Sequence, residues 1–156
     1  ADKNRPCTNY RKLNDSTVKT NMPLPSKEKM IATLSGGDFY ISVDAKAAYN
    51  QLEIEEESQK YLVFRFPGRD NIAQYVFPKR ANFGTSNMPG EYQRISTDLF
   101  EGPNTGVYLD DVNIKGMDND VPAALDRLEE ILKAAKKNNV TFSFKKTVLF
   151  ALKFDE

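Results

Sequence analysis

The sequence contains no histidine and no tryptophan, and its single cysteine is Cys7. The absence of histidine excludes a Ser-His-Asp triad, a Cys-His pair and a zinc site with histidine ligands. A lone cysteine cannot form an intramolecular disulfide, which favours a reducing compartment, and we interpret Cys7 as a small buried hydrophobe. Catalysis by this chain must therefore use carboxylates, lysine, tyrosine or a metal ion.

The sequence also lacks long apolar runs and an excess of charge of one sign. No stretch approaches the roughly 18 consecutive apolar residues of a membrane-spanning helix, and the N-terminus does not resemble a secretory signal. We therefore expect an intracellular protein with no membrane partner. Basic and acidic residues both number 22, a balance that disfavours non-specific nucleic-acid binding by this chain alone. Ala1 suggests a processed product or a piece of a longer chain.

Alternating apolar residues predict strands. Strands are predicted at 38–44, 61–66 and 74–77, within a hairpin over 106–115, and at 140–144 and 148–152 as a closing pair. The first alternates around Phe39, Ile41 and Val43 and ends at a carboxylate. The hairpin has Asp110 and Asp111 at its tip.

Punctuation and helical spacing predict helices at 26–34, 86–100 and 122–138. Ser26 and Asp120 are suitable N-caps for the first and last of them. The apolar stripe predicted for the last helix consists of Leu125, Leu128, Leu132 and Ala135. The mixed order of elements predicts an α+β fold, with helices packed on one face of an antiparallel sheet.

Carboxylates at strand ends are the candidate chemical groups. Asp44 ends the first strand, and Asp110 and Asp111 lie in the hairpin turn. Carboxylates held close together repel one another unless a hard dication compensates them, which suggests a metal site. Aspartates are also ordinary turn residues, so a purely structural role stays open at this point.

Distinct sequence blocks lie along nearly the whole chain. They are Tyr10-Arg11-Lys12-Leu13-Asn14, Met22-Pro23-Leu24-Pro25, the block 42–52, Phe83-Gly84 with Asn87, Pro89 and Tyr92-Gln93-Arg94, and Tyr108-Leu109-Asp110-Asp111. These blocks resemble, in family order, those of reverse transcriptases of the gypsy-type LTR retrotransposon class. The first two resemble blocks of the fingers, the third the first catalytic block, the fourth a further block, and the last the YxDD box.

The resemblance implies template-directed DNA synthesis with two Mg²⁺ or Mn²⁺ ions, an RNA or DNA template, a DNA primer and a dNTP. It implies a partial fingers segment over 1–37 and a polymerase palm over 38–156, with a fingers-side hairpin near 61–77. The thumb, connection and RNase H regions would be absent from this piece, so further regions or another subunit are expected partners. The expected location is the cytoplasm, the nucleus or a virus-like particle.

The resemblance also implies roles for the site residues. Asp44, Asp110 and Asp111 would be the catalytic carboxylates. Asp44 and Asp110 would hold both metal ions, Asp111 would be the less directly ligating acid, and the Ala45 carbonyl would complete one metal site.

For the nucleotide, the resemblance implies that backbone N–H groups of Ala47 and Ala48 face the triphosphate. Tyr49 would be the aromatic gate under the sugar, which excludes a ribose 2′-hydroxyl. Arg5 would clamp the triphosphate, and Phe83 would lie near the nucleotide and template base. Tyr49 and Phe83 could instead be core aromatics, and Arg5 an exposed arginine without a role.

Departures from the family pattern leave a rival function open. Ala81-Asn82 replaces the usual Met-Pro, and Asn50 replaces the usual His, although no catalytic carboxylate is lost. The alternative is a domesticated module that serves as a non-catalytic binding or structural subunit. Lys145-Lys146 resembles a basic pair of the family, but we prefer the interpretation of a solvated turn.

Overall fold

The computed structural model describes residues 8–68 and 72–152, so Arg5 and Cys7 lie outside the described residues. The helices are α1 (Arg11–Ser16), α2 (Lys27–Leu34), α3 (Glu56–Gln59), α4 (Met88–Phe100) and α5 (Val121–Lys137). The strands are β1 (Phe39–Asp44), β2 (Phe64–Pro67), β3 (Ala73–Val76), β4 (Thr105–Tyr108), β5 (Asp111–Gly116) and β6 (Val148–Ala151). The predicted α+β class is confirmed.

The chain folds into two compact units that alternate along the sequence. The first unit comprises Ala1–Thr20 and Tyr49–Met88, and the second comprises Asn21–Ala48 and Pro89–Glu156. The assignment of fingers and palm to segments of the chain stays a prediction. Each helix in the described part of the chain is too short or too polar to span a bilayer.

The second unit contains a four-stranded antiparallel sheet in the order β4-β5-β1-β6. Alternation sends Ile41 and Val43 of β1 to one face, opposite Ile114 and Val112 of β5. These four side chains are almost fully buried and belong to a core cluster with residues of α5. One face of the sheet is therefore sealed by a helix, as predicted.

Helix α5 begins as predicted, because the Asp120 side chain accepts a hydrogen bond from the Ala123 N–H. The predicted stripe is wrong in part, since Leu125 and Leu132 are exposed. The buried residues are Ala124, Ile131 and Ala135. These three residues pack into the core cluster beneath the sheet, where small alanine side chains take up less room than leucines would.

The predicted closing strand pair is also wrong. Only β6 is a strand, and it pairs with β1. Phe142 forms no more than an isolated bridge with Ala45, and a 3₁₀ turn over Phe144–Lys146 separates it from β6. The free edge of β1 offers unpaired backbone groups to both segments, so each pairs with that end of the sheet instead of with the other.

In the first unit, β2 and β3 form a separate two-stranded hairpin. Strand β2 is shorter than the strand predicted at 61–66. The N–H groups of Tyr61 and Leu62 donate instead to the carbonyls of Ser58 and Gln59, which places these two residues in turns. Buried Tyr10 donates its hydroxyl hydrogen to the Leu62 carbonyl, at 3.1 Å. In the second unit, the predicted helix at 26–34 is confirmed, with the Ser26 side chain accepting from the Lys29 N–H.

Candidate active site

Asp44 and Asp111 lie directly opposite each other across the two central strands. Asp44 is the last residue of β1, Asp111 is the first residue of β5, and the two are register partners. Directly opposed residues of an antiparallel pair have Cβ atoms about 4.5–5.5 Å apart on the same face. Val43 and Val112, the neighbouring pair, point to the apolar core. The sheet thus anchors both carboxylates from the opposite face.

Asp110 is brought to the same edge by the backbone. The Ala45 N–H donates to the Asp110 carbonyl oxygen at 2.7 Å, which ties the residue after Asp44 to the β4–β5 turn. Leu109, which precedes Asp110, has a φ of 50°. This left-handed conformation is uncommon for a leucine and indicates a turn constrained by its surroundings.

Gln93 supplies part of that constraint. Its Oε1 accepts from the Leu109 N–H at 2.7 Å, and its Nε2 donates to the Val107 carbonyl at 3.0 Å. Gln93 is 5% exposed and lies on α4, so a buried amide binds one backbone group of β4 and one of the turn that follows it. Sequence reasoning matched Gln93 to a family block but gave it no role. The sequence signal that could have indicated a role was the polar Gln93 within the amphipathic helix α4.

Lys146 is the cation of this site. Its Nζ lies 2.7 Å from Asp44 Oδ2, although the two residues are 102 positions apart. The Asp44 side chain is 12% exposed, whereas the Lys146 side chain is 59% exposed. The interpretation of Lys145-Lys146 as no more than a solvated turn is therefore wrong for Lys146.

The charges of the acids and of Lys146 influence the ionisation of Asp111 and Lys146. The pKa of the Asp111 carboxyl is raised, first by partial desolvation and then by the neighbouring carboxylates of Asp110 and Asp44, while Lys146 opposes the shift. The pKa of Lys146 is also raised, chiefly by its hydrogen bond to Asp44 and by the charge of that carboxylate. Asp111 thus lies in the field of two other acids, and the Lys146 ammonium opposes their effect.

The donor chemistry fits a divalent metal, because clustered carboxylate oxygens are the ligands that Mg²⁺ and Mn²⁺ prefer. Within residues 8–68 and 72–152, however, no group of three or more acidic, cysteine or histidine side chains is arranged to hold an ion. The Lys146 ammonium is the cation that contacts Asp44 in this arrangement.

The alanines assigned to the nucleotide follow β1 directly. Ala45 and Ala48 are buried, whereas Ala47 is exposed and has a φ of 51°. In an anion-binding nest, neighbouring right-handed and left-handed residues direct their N–H groups into one concavity, and Ala47 has the φ of the left-handed member. Ala48 starts a short 3₁₀ turn that ends at Gln51.

Tyr49 and Phe83 both belong to the first unit, and they contact each other. Their ring centroids lie 5.0 Å apart at an interplanar angle of 65°, an edge-to-face arrangement. Phe83 is 39% exposed, which disfavours the interpretation of a plain core phenylalanine. Arg5, the remaining predicted nucleotide ligand, lies outside the described residues.

The family model of reverse transcriptase (RNA-dependent DNA polymerase) matches residues 1–155. The chain belongs to this family, and the fold and the strand-end carboxylates are those expected from its sequence blocks. The family generally uses divalent metal ions.

Relatives include the enzymatic polyprotein of Soybean chlorotic mottle virus, 30% identical over 88% of this chain and 21% of the polyprotein. The Pol polyprotein of the Drosophila melanogaster transposon gypsy is 28% identical over 90% of this chain and 13% of its own length. A foamy viral protease-reverse transcriptase solved with an RNA/DNA hybrid has the same fold, with a TM-score of 0.80 at 22% identity. That match covers 92% of this chain and 19% of the solved one. The chain thus spans about a fifth of the first of these relatives.

Proposed function

We propose that this chain is the catalytic core of a polymerase that synthesises DNA on an RNA or DNA template by nucleotidyl transfer. The observation that carries the proposal is the register pairing of Asp44 with Asp111, with Asp110 tied by its backbone to the same strand end. Two adjacent strands of one sheet can hold acids at fixed separation far better than mobile loops can. Membership of the reverse transcriptase family supports the proposal.

The carboxylates of Asp44, Asp110 and Asp111, with the Ala45 carbonyl, would hold two Mg²⁺ or Mn²⁺ ions. Bound ions would activate the primer 3′-hydroxyl and stabilise the leaving pyrophosphate. Asp44 and Asp110 would serve both ions, and Asp111 would contribute mainly charge. The pKa of the Asp111 carboxyl is raised by partial desolvation and then by the neighbouring carboxylates of Asp110 and Asp44, so a bound ion would also favour its ionised form.

The nucleotide would be bound by the segment that follows β1. The N–H groups of Ala47 and Ala48 would face the triphosphate, and the left-handed backbone of Ala47 supports that role. Tyr49 would exclude the ribose 2′-hydroxyl, and Phe83, whose ring contacts Tyr49, would lie near the nucleotide and template base. Arg5 would clamp the triphosphate.

Template and primer would be the macromolecular partners, together with further regions of a longer polyprotein. The foamy viral relative was solved with an RNA/DNA hybrid, which supports this partner class. Affinity for nucleic acid comes mainly from phosphate contacts by lysine and arginine. Because this chain has no net charge, affinity for primer–template would come largely from the other regions. The proposed setting is intracellular, in the cytoplasm, the nucleus or a virus-like particle.

The test is calorimetric titration of the chain with Mn²⁺, with and without a dNTP. Asp44→Asn and Asp110→Asn should each abolish metal-dependent nucleotide binding while far-UV circular dichroism stays unchanged. Asp126→Asn, on the exposed side of α5, is the matched control and should bind as the parent does.

Equal Mn²⁺ affinity in the parent and both site variants would refute the metal assignment. A folded chain that binds neither Mn²⁺ nor dNTP would instead favour the domesticated, non-catalytic module.

A further inference from the structure

We propose that Lys146 is a built-in competitor of the divalent metal at Asp44, so that an ion gains this carboxylate by displacing the lysine ammonium. The inference rests on the metal site proposed above, and it concerns a residue to which that function assigned no part.

One carboxylate oxygen of Asp44 is already occupied by the Lys146 ammonium. The Lys146 Nζ lies 2.7 Å from Asp44 Oδ2, which is the length of a charge-assisted hydrogen bond. A Mg²⁺ ligand oxygen lies roughly 2.0–2.1 Å from its ion. An ion on the same oxygen would therefore be close to the ammonium, and the two positive charges would repel each other in a nearly buried setting. Both cannot occupy Asp44 favourably.

Backbone hydrogen bonds position Lys146 beside Asp44. The Ser143 N–H donates to the Asp44 carbonyl at 2.7 Å, and the Lys146 N–H donates to the Ser143 carbonyl at 3.0 Å. The Lys46 N–H donates to the Thr141 carbonyl at 2.9 Å, on the other side of the bridge between Ala45 and Phe142. The segment before Lys146 is thus fastened to the end of β1, so the ammonium is delivered to one carboxylate.

The Lys146 ammonium is free to move away from Asp44 into water. The Lys146 side chain is more than half exposed, whereas that of Asp44 is nearly buried. Lysine has a flexible stem and a strongly hydrated head, so its swing into water costs little once a dication neutralises Asp44. Asp44 has no comparable freedom, because its backbone pairs with Asp111 of β5 on one side and its carbonyl accepts from the Ser143 N–H on the other. The exchangeable partner of this pair is therefore the lysine.

The same turn contains an internal control. Lys145 precedes Lys146 in the 3₁₀ turn, is exposed, and makes no ion pair among the residues that the structure describes. Two adjacent lysines with the same formal charge therefore differ in their contact with the acids. An effect of general positive charge would be shared by both, and an effect of competition would belong to Lys146 alone.

The experiment is titration of the 156-residue chain with Mn²⁺ at fixed pH and ionic strength, with Tm measured separately in chelator. Lys146→Gln should lower the Mn²⁺ Kd by about 5- to 150-fold, the usual range for two coupled sites. The same variant should lower the metal-free Tm, because Asp44 loses its partner. Lys145→Gln should change neither quantity, and Lys146→Arg should keep the competition.

A second readout is the chemical reactivity of Lys146 in the parent chain. Amine labelling of the parent chain, followed by mass spectrometry, should show Lys146 protected in chelator and more reactive in saturating Mn²⁺, with Lys145 as the internal reference. In Asp44→Asn the labelling of Lys146 should not respond to Mn²⁺.

An unchanged or weaker Mn²⁺ affinity in Lys146→Gln, in a chain where Asp44→Asn abolishes binding, would overturn the competition and leave the metal site standing. Mn²⁺ binding that survives Asp44→Asn would overturn both.

Discussion

The two hairpins of this chain have similar pairing and opposite surroundings. Hairpin β4–β5 contributes two strands to the four-stranded sheet, and most of its residues are buried. Hairpin β2–β3 is a sheet by itself, and its residues are exposed or half-buried. The first hairpin has the acids at its turn, and the second presents aromatic side chains such as Phe66 and Tyr75 to solvent.

This difference shows where a charged site can be built. Carboxylates that repel one another need an external restraint, which in β4–β5 comes from the sealed core face and from the amide of Gln93. A two-stranded ribbon without a packed face is marginally stable by itself and could not hold such acids in place. We therefore expect substitutions in the two hairpins to differ sharply in their effects.

The largest expected effect is on the core of β5. Ile114→Ala removes a fully buried side chain, so the free energy of unfolding should fall by about 2–5 kcal/mol. Tyr75→Ala, at a position 71% exposed in β3, should change it by less than about 0.5 kcal/mol. Urea denaturation followed by circular dichroism measures both. Equal losses would mean that the exposed hairpin contributes as much packing as the buried one.

An intermediate effect is expected at the turn. Gln93→Leu would leave the Leu109 N–H and the Val107 carbonyl without their partner, at a cost of about 1–3 kcal/mol. Hydrogen exchange at the Leu109 amide should accelerate more than global destabilisation explains. Gln74→Leu, in the exposed hairpin, is the control and should leave that amide unaffected. If Leu109 keeps its protection in Gln93→Leu, another contact holds the turn.

The smallest expected effect is the pH dependence due to Asp111. Its pKa is raised on folding, so the folded chain binds this proton more tightly than the unfolded chain does. Its contribution favours folding at pH values below the unfolded pKa and is lost as the pH rises through the folded pKa. In chelator, Asp111→Asn should therefore raise the Tm by about 1–3 °C at pH 7 and by less near pH 4.

Asp126→Asn, on α5, should show no such pH-dependent difference. A gain for Asp111→Asn that is constant with pH would indicate that ionisation of a partly desolvated Asp111 beside Asp110 and Asp44 is not its cause.

Local patterns in the sequence determined much of this protein. The alternation of Phe39, Ile41 and Val43 determined β1 and its buried face, and it thereby placed Asp44 at the end of the strand. Ser26 and Asp120 determined two helix starts, because a cap acts on N–H groups only a few residues away. The YxDD block determined the hairpin with its acids at the turn. Such features depend on residues near one another in the chain, so periodicity and turn chemistry are enough to find them.

Only the tertiary structure decided which face of α5 is buried, which strand accepts β6, and which residues meet the carboxylates. Periodicity predicts that α5 has an apolar face, but packing into the core cluster selected Ala124, Ile131 and Ala135 as its buried residues. The free edge of β1 decided the pairing of β6, because it was the available row of backbone donors and acceptors. Lys146 reached Asp44 from 102 residues away. A contact of that kind depends on how the chain closes in space, and no local pattern encodes it.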